Sequence, residues 1–171
     1  MLGNKYVRQD CSIAGALEVI GERWTLLIVR DAMYGVRRFT DFQSHLDIPK
    51  AVLSDRLAGL VEDGVLERTP DPTRRGSHQY ELTQAGRELW PVLHALLVWG
   101  GRHGRPNSRI FMHASCQTEL AADGSCPTCN LTPNLADIAT RPRPGRARLR
   151  DDPIAVALRR THRMLEPIET A

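Results

Sequence analysis

No apolar run in this chain approaches the ~18 residues a membrane-spanning helix needs, so a helical membrane protein is excluded. The opening stretch, Met1-Leu-Gly-Asn-Lys-Tyr-Val-Arg-Gln-Asp10, is polar and lacks the apolar segment of a secretory signal, and a cytoplasmic location is expected. Cysteine is scarce, with 4 among 171 residues. In a reducing compartment so few cysteines are metal ligands, redox switches or small buried hydrophobes before they are structural disulfides. Charge of one sign is nearly balanced, at +3 net, too little for a whole-chain signal of nucleic-acid binding. A Ser/His/Asp set, a paired-acid signature and a phosphate-cradling glycine loop are all missing, so no enzyme class is suggested. There is no internal repeat.

What is there suffices for a core: 42% of residues are hydrophobic, and the length fits one ordinary domain with a smaller appendage. Apolar residues at three- and four-residue spacing (Ile13, Ala14, Ala16, Leu17, Ile20) predict a short helix over 11–20, with Ser12 as N-cap. A second helix over 22–34, stopped by Gly35, should bury Trp24, Leu27, Ile28 and Met33. A third, over 40–45, turns Phe39 and Phe42 inward. Pro49 fits a first helical turn and opens a fourth helix over 50–62. Val52, Leu53, Leu57, Leu60 and Val61 form its apolar face; Lys50, Ala51, Ser54, Asp55 and Ala58 form the other. Residues 65–69 and 78–82 alternate and predict a hairpin around Pro70-Asp-Pro-Thr-Arg-Arg-Gly76. Thr83 should cap a long helix to Trp99, with Leu89, Val92, Leu93, Leu96 and Trp99 on its apolar side and Pro91 bending or restarting it. Further on, the Arg/Pro-rich stretch 141–150 predicts an extended arm, and Asp152-Pro153 opens a last helix to Leu165.

Helix, turn, helix and an arginine-tipped hairpin succeed one another as in winged-helix DNA-binding proteins. A helix that lies in a major groove needs small or polar residues outward and an apolar face that locks it to a scaffold. Lys50, Ala51, Ser54 and Asp55 meet the first requirement. Arg56 flanks the buried face and either contacts phosphate or braces the hairpin. Arg74 and Arg75 stand on a loop bounded by Pro and Gly, placed to enter a minor groove or clamp phosphates, with Asp71 expected to orient one of them. The arginine arm (Arg141, Arg143, Arg146, Arg148, Arg150) either tracks DNA backbone or is a solvated linker.

His113-x2-Cys116-x9-Cys126-x2-Cys129 has the pairing of ligands that a tetrahedral zinc site uses. Structural zinc is the leading reading, and a metal would explain how so small a segment folds. A dithiol redox pair at Cys126 and Cys129, or loop thiols without a role, stay open, and His103 is an alternative fourth ligand. Cys11 heads the first helix, where backbone N–H groups lower a thiol pKa; it is either a redox switch or a small filler residue.

The series Cys11-Ser-Ile, Ile20-Gly-Glu-Arg-Trp-Thr-Leu-Leu-Ile28, Arg38-Phe-Thr-Asp-Phe42, Leu53-Ser-Asp-Arg-Leu57, Gly64-Val-Leu-Glu-Arg68 and Tyr80-Glu-Leu-Thr-Gln-Ala-Gly-Arg-Glu-Leu89 resembles the HxlR-type transcriptional regulators, relatives of the MarR family. The resemblance covers residues 11–103. It implies a mainly α fold with a small β-hairpin wing, and a homodimer, usually a repressor and sometimes an activator, on a pseudo-palindromic double-stranded DNA operator. It also implies a dimer interface near residues 11–17 and 89–99, and for some members quinone, aldehyde or oxidant sensing through the cysteine matching Cys11. The expected organisation is a winged helix-turn-helix over 1–105, a zinc-ribbon-like extension over 106–140, and a linker with a last helix over 141–171. A small molecule or oxidant is the expected effector, and no membrane is involved. The competing reading is a winged-helix protein-interaction module that uses the C-terminal extension to bind a partner.

Overall fold

Leucines at positions i, i+4 and i+7 anchor the first half of the molecule, which is known here from a computed structural model describing residues 6, 8–145, 150–168 and 170. Four helices come first: α1 (Ser12–Ile20), α2 (Thr25–Met33), α3 (Phe39–Leu46) and α4 (Lys50–Glu62). Leu53, Leu57 and Leu60 of α4 are at most 2% exposed and pack with Ile28, Val29, Met33 and Phe42. Each such burial stabilises by roughly 1.5–3 kcal/mol. Between α3 and α4 the chain turns through Asp47 in the left-handed region, φ 53°. Pro49 then takes the N-cap of α4, its carbonyl accepting the Leu53 N–H.

β1 (Leu66–Pro70) and β2 (His78–Leu82) form an antiparallel hairpin with Leu66 opposite Leu82 and Arg68 opposite Tyr80. A third segment joins its open edge: Arg38 bridges to Gln79, and the Tyr80 N–H donates to the Arg37 carbonyl. The Thr83 hydroxyl does cap the next helix, accepting from the Gly86 N–H at 3.2 Å, but that helix is only α5 (Gln84–Arg87). A new one, α6 (Trp90–His103), starts with Pro91 in its first turn, so the long helix expected from Thr83 is two. Pro91 has no N–H to continue the α5 ladder, and the first turn is where that lack costs nothing.

Other boundaries differ from expectation in instructive ways. Cys11, not Ser12, holds the N-cap position of α1, with no side-chain cap bond. Residues 22–24 form a turn ahead of α2. Ile28 and Met33 are buried as expected, whereas Trp24 is half-buried and Leu27 is 37% exposed.

The second half is a small antiparallel sheet in the order β3 (Arg109–His113), β4 (Ile138–Pro142), β5 (His162–Arg163). The expected extended arm therefore begins as a strand: Ile110 pairs with Arg141 and Arg109 with Pro142. Arg143 pairs with Glu119, and Arg150 with Asp152. Arg146 and Arg148 lie outside the described residues. The last helix, α7 (Pro153–Ala157), ends well short of Leu165. Asp152 caps it by accepting the Ala155 N–H at 2.9 Å, and the chain then turns back to pair His162 with Thr140. The strand pairing takes the residues that helical periodicity had claimed.

This extension is packed on the helices. Ile154, Leu158, Met164 and Ile168 belong to the same core as Phe42 and Met33. The tail crosses the end of α2, where Leu165 N–H donates to the Met33 carbonyl and Ile168 N–H to the Gly35 carbonyl. Gly35 has φ +88°, and a Cβ there would lie 1.7 Å from the Glu166 carbonyl oxygen, so glycine is required. Among the described residues no helix is long and apolar enough to cross a membrane.

Candidate nucleic-acid interface and metal centre

The apolar face of α4 fixes what its other face presents. Lys50, Ala51, Ser54, Asp55 and Ala58 are all exposed, while Leu53, Leu57 and Leu60 hold the helix down. Arg56 is half-buried and pairs with Glu22 at 3.7 Å, in the turn before α2.

Arg74 and Arg75 are exposed at the hairpin tip. Asp71, expected to orient one of them, does something else. Its carboxylate is buried and accepts from Arg38 Nε at 2.8 Å and from the Thr73 hydroxyl and N–H. These bonds, Arg38 first, hold it well below the usual carboxylate range. Because Arg38 caps α3, this pair ties the tip of the wing to the helix-turn-helix. The sequence reading missed Arg38, since 33 positions separate the partners and nothing local marks them.

Exposed apolar side chains gather on two helices: Ile13 and Leu17 on α1, and Val92, Leu96 and Trp99 on α6. Trp99 is the most exposed of those on α6, at 63%. Cys11 lies exposed at the head of α1, and the Ala14 and Ile13 backbone N–H groups lower its pKa from the ordinary thiol value.

His113, Cys116, Cys126 and Cys129 converge, with one ligand atom from each within 4.8 Å of all the others. The two halves are built alike. The His113 carbonyl accepts the Gln117 N–H and the Cys126 carbonyl accepts the Asn130 N–H, both at 2.8 Å. Gln117 and Asn130 each take a left-handed backbone, φ 57° and 54°. Each turn thus throws two ligand side chains toward one point. The Cys116 and Cys126 sulfurs are 3.4 Å apart, too far for a disulfide bond of ~2.05 Å. A tetrahedral zinc with ~2.3 Å bonds to sulfur needs an edge of about 3.8 Å, close to what is found. His113 Nδ1 lies 3.5 Å from the Cys116 sulfur, and Nε2 lies 3.0 Å from the Ser115 hydroxyl. The Ser115 hydroxyl thus lies beside both ring nitrogens, 3.4 Å from Nδ1 as well, and Nδ1 is the ring nitrogen that meets a cysteine sulfur. Hydrogen bonds from Thr118 pull the Cys116 thiol down to about 6. Cys129, beside the Cys116 sulfur, is pushed up to about 11. A cation here would remove that repulsion. His103, the alternative ligand, packs tilted against Trp99 at the end of α6 instead. Ser115 and Thr118 carried no signal in the sequence.

The family model for the HxlR-like helix-turn-helix matches residues 19–108. An uncharacterized HTH-type transcriptional regulator of Mycobacterium tuberculosis is 38% identical over 137 residues, covering 78% of this chain and 87% of that protein. The solved structure of PA1607, a proposed transcription factor, superposes with a TM-score of 0.53 at 35% identity, covering 69% of this chain and 94% of that one. The redox regulator HypR in its oxidized form gives a TM-score of 0.50 at 28% identity, covering 54% of this chain and 97% of that one. With its helix-turn-helix, its hairpin wing and these relatives, the chain belongs to the HxlR-like helix-turn-helix family and is a DNA-binding transcriptional regulator, not an enzyme.

Proposed function

We propose that this regulator is a homodimeric repressor that occupies a pseudo-palindromic operator, with α4 of each protomer in a major groove. The observation that carries the reading is the solvent-facing set Lys50, Ala51, Ser54 and Asp55 on a helix anchored by three buried leucines, beside a wing tip that exposes Arg74 and Arg75. Lys50, Ser54 and Asp55 offer hydrogen-bonding groups to base edges, and Ala51 is small enough to meet a thymine methyl. The wing arginines hold the flanking backbone or minor groove. Arg56 joins the contact surface only if it leaves Glu22. The apolar residues of α1 and α6 supply the dimer face, and two recognition helices then meet grooves about 34 Å apart.

The test is a salt titration on a promoter fragment. A dimer that neutralises ~6–10 phosphates loses about three to five decades of affinity between roughly 50 and 200 mM salt. Arg74→Ala with Arg75→Ala should weaken binding and flatten that slope by about one for every phosphate left unneutralised. A flat response in the parent protein would defeat the reading.

In the same proposal, His113, Cys116, Cys126 and Cys129 hold a structural zinc, supported by the donor set and the paired turns. All four positions are filled by protein, so the ion serves folding. Cys11 is the oxidant-responsive thiol, supported by its exposure, its lowered pKa and the likeness to a redox regulator. Its alkylation by iodoacetamide should reach half-maximal rate below the ordinary thiol pKa of ~8.5. Cys11→Ser should abolish oxidant-dependent DNA release; release that persists in that variant removes Cys11 from the mechanism.

A further inference from the structure

The sulfurs gathered around the metal-ligand cluster have unequal surroundings. Cys126 is fully buried and belongs to the same core as Phe111 and Leu120. Cys116 packs against that core but is only half-buried, and Cys129 is exposed. The Cys116 and Cys126 sulfurs are in direct contact at 3.4 Å, although ten positions separate them in the chain. They come from opposite halves of the cluster, one from the His113–Cys116 turn and one from the Cys126–Cys129 turn.

Contacts that do not involve sulfur also hold these halves together. The Thr118 and Thr128 hydroxyls share a hydrogen bond at 2.7 Å. The Cys126 N–H donates to the Leu131 carbonyl at 2.7 Å, and the Ala121 N–H to the Ser125 carbonyl at 2.9 Å. At the other end of the loop, the Leu120 N–H donates to the Phe111 carbonyl of β3 at 2.9 Å. The backbone therefore brings Cys116 and Cys126 face to face, with the more open sulfur in front of the buried one.

We infer that this cluster is a thiol modification site, where a hydroperoxide converts Cys116 and Cys126 to a disulfide that expels zinc and replaces it as the tie between the two halves. The zinc part rests on the structural-zinc reading. The Cys116 thiolate attacks the peroxide: an S–O bond forms, the O–O bond breaks, and the leaving oxygen takes a proton. The Cys126 thiolate then attacks the Cys116 sulfur: the S–S bond forms, the S–O bond breaks, and hydroxide leaves and takes a proton as water. The two thiolates lose two electrons, and the hydroperoxide is reduced to an alcohol and water. The sulfurs close from 3.4 Å to the ~2.05 Å of a disulfide. A disulfide sulfur carries no charge, so His113 and Cys129 alone remain, too few for tetrahedral zinc. A Cys126–Cys129 disulfide would close one turn and leave the halves untied. The reaction needs neither Cys11 nor DNA, and its residues lie beyond the matched residues 19–108.

The experiment treats the full chain carrying Cys11→Ser, loaded with zinc, with one equivalent of hydrogen peroxide. A chromogenic chelator reads released zinc, a thiol reagent counts free sulfurs, and peptide mass mapping identifies the link. The expected result is two thiols lost per zinc released, a Cys116–Cys126 link, and recovery of thiols and metal on adding dithiothreitol and zinc. Hydrogen exchange then separates cross-linking from mere metal loss. Amides of β3 and β4 should exchange on the order of ten- to a hundredfold more slowly in the oxidised chain than in the reduced, metal-free chain, because the disulfide keeps the loop closed. Cys129→Ser, which removes a metal ligand but keeps both reacting sulfurs, should form the same link. Zinc and thiols that both survive peroxide overturn the inference. So does a link that includes Cys129, or equal exchange in the oxidised and the reduced metal-free chains. A reconstituted chain that holds no zinc fails the structural-zinc reading instead, and mass mapping of that same chain still decides the disulfide.

Discussion

The two halves of this molecule solve the same problem with different chemistry. From α1 to α6 the fold rests on many similar contacts: Leu53, Leu57 and Leu60 against Ile28, Val29, Met33 and Phe42. No single one of them decides whether the half folds. The sheet β3–β4–β5 has far less to work with. Its edge strand is two residues long, and the apolar set on one face is Ile110, Met112 and Ala139. Sheets this small are marginal unless something else covers or pins them. Here one face is covered by the helices, through Phe111 and Ile138, and in the proposed reading a zinc ion pins the loop beyond where His113, Cys116, Cys126 and Cys129 meet. Distributed burial tolerates loss of a part, whereas a ligand cluster fails together.

The largest effect expected from that contrast is metal removal. Zinc binding to small folding units has an apparent free energy of ~10–16 kcal/mol at neutral pH, an upper bound for a segment also held by packing. A chelator, or Cys126→Ser at a fully buried sulfur, should strip hydrogen-exchange protection from β3 and β4. Amides of α4 should keep theirs. Protection that persists in β3 and β4 after complete metal loss would show that the sheet folds by packing alone, and the contrast would be gone.

The same contrast governs what could be read in advance. The bounds of α4 and β2 follow directly from local pattern, because a leucine stripe and an alternating strand carry their own signal. The cysteine and histidine spacing was equally plain, and the four side chains do meet. What stayed hidden depends on distant partners. Residues 158–165 have helical periodicity, but β4 offers an edge to His162 and Arg163, and the strand takes them. Asp71 looked available to Arg74 or Arg75, yet Arg38 reaches it from across the fold. Leu27 fits an inward-facing pattern, and is exposed because the face it lies on borders a cleft beside α6. Arg109 reads as one more basic residue until Thr140 and Leu158 surround it.

A mid-sized effect sharpens the comparison from the other side. Leu53 is fully buried at the centre of the helical core. Leu53→Ala should cost roughly 2–5 kcal/mol, the forfeited transfer energy plus the cavity left behind. Denaturant titration with metal present should show the midpoint falling, with metal stoichiometry unchanged in the folded protein. Loss of metal from the folded variant would mean that the cluster depends on the helical core and is not a separate anchor.

The smallest effect is also the most local. The Thr83 hydroxyl donates to the Gly64 carbonyl at 2.6 Å while accepting the Gly86 N–H at 3.2 Å. One oxygen thus joins the end of α4, the base of the wing and the start of α5. Close packing supports that join, since a Cβ at Gly86 would lie 2.3 Å from the Val65 carbonyl oxygen. Thr83→Ala should cost about 1 kcal/mol, the usual value of an N-cap, and Thr83→Ser should restore most of it. Exchange should quicken at α5 and at the base of the hairpin, with β3 and β4 unaffected. If both regions loosen together, then packing across α6 couples them into one cooperative unit, and the division drawn between burial and ligation describes their chemistry but not their unfolding.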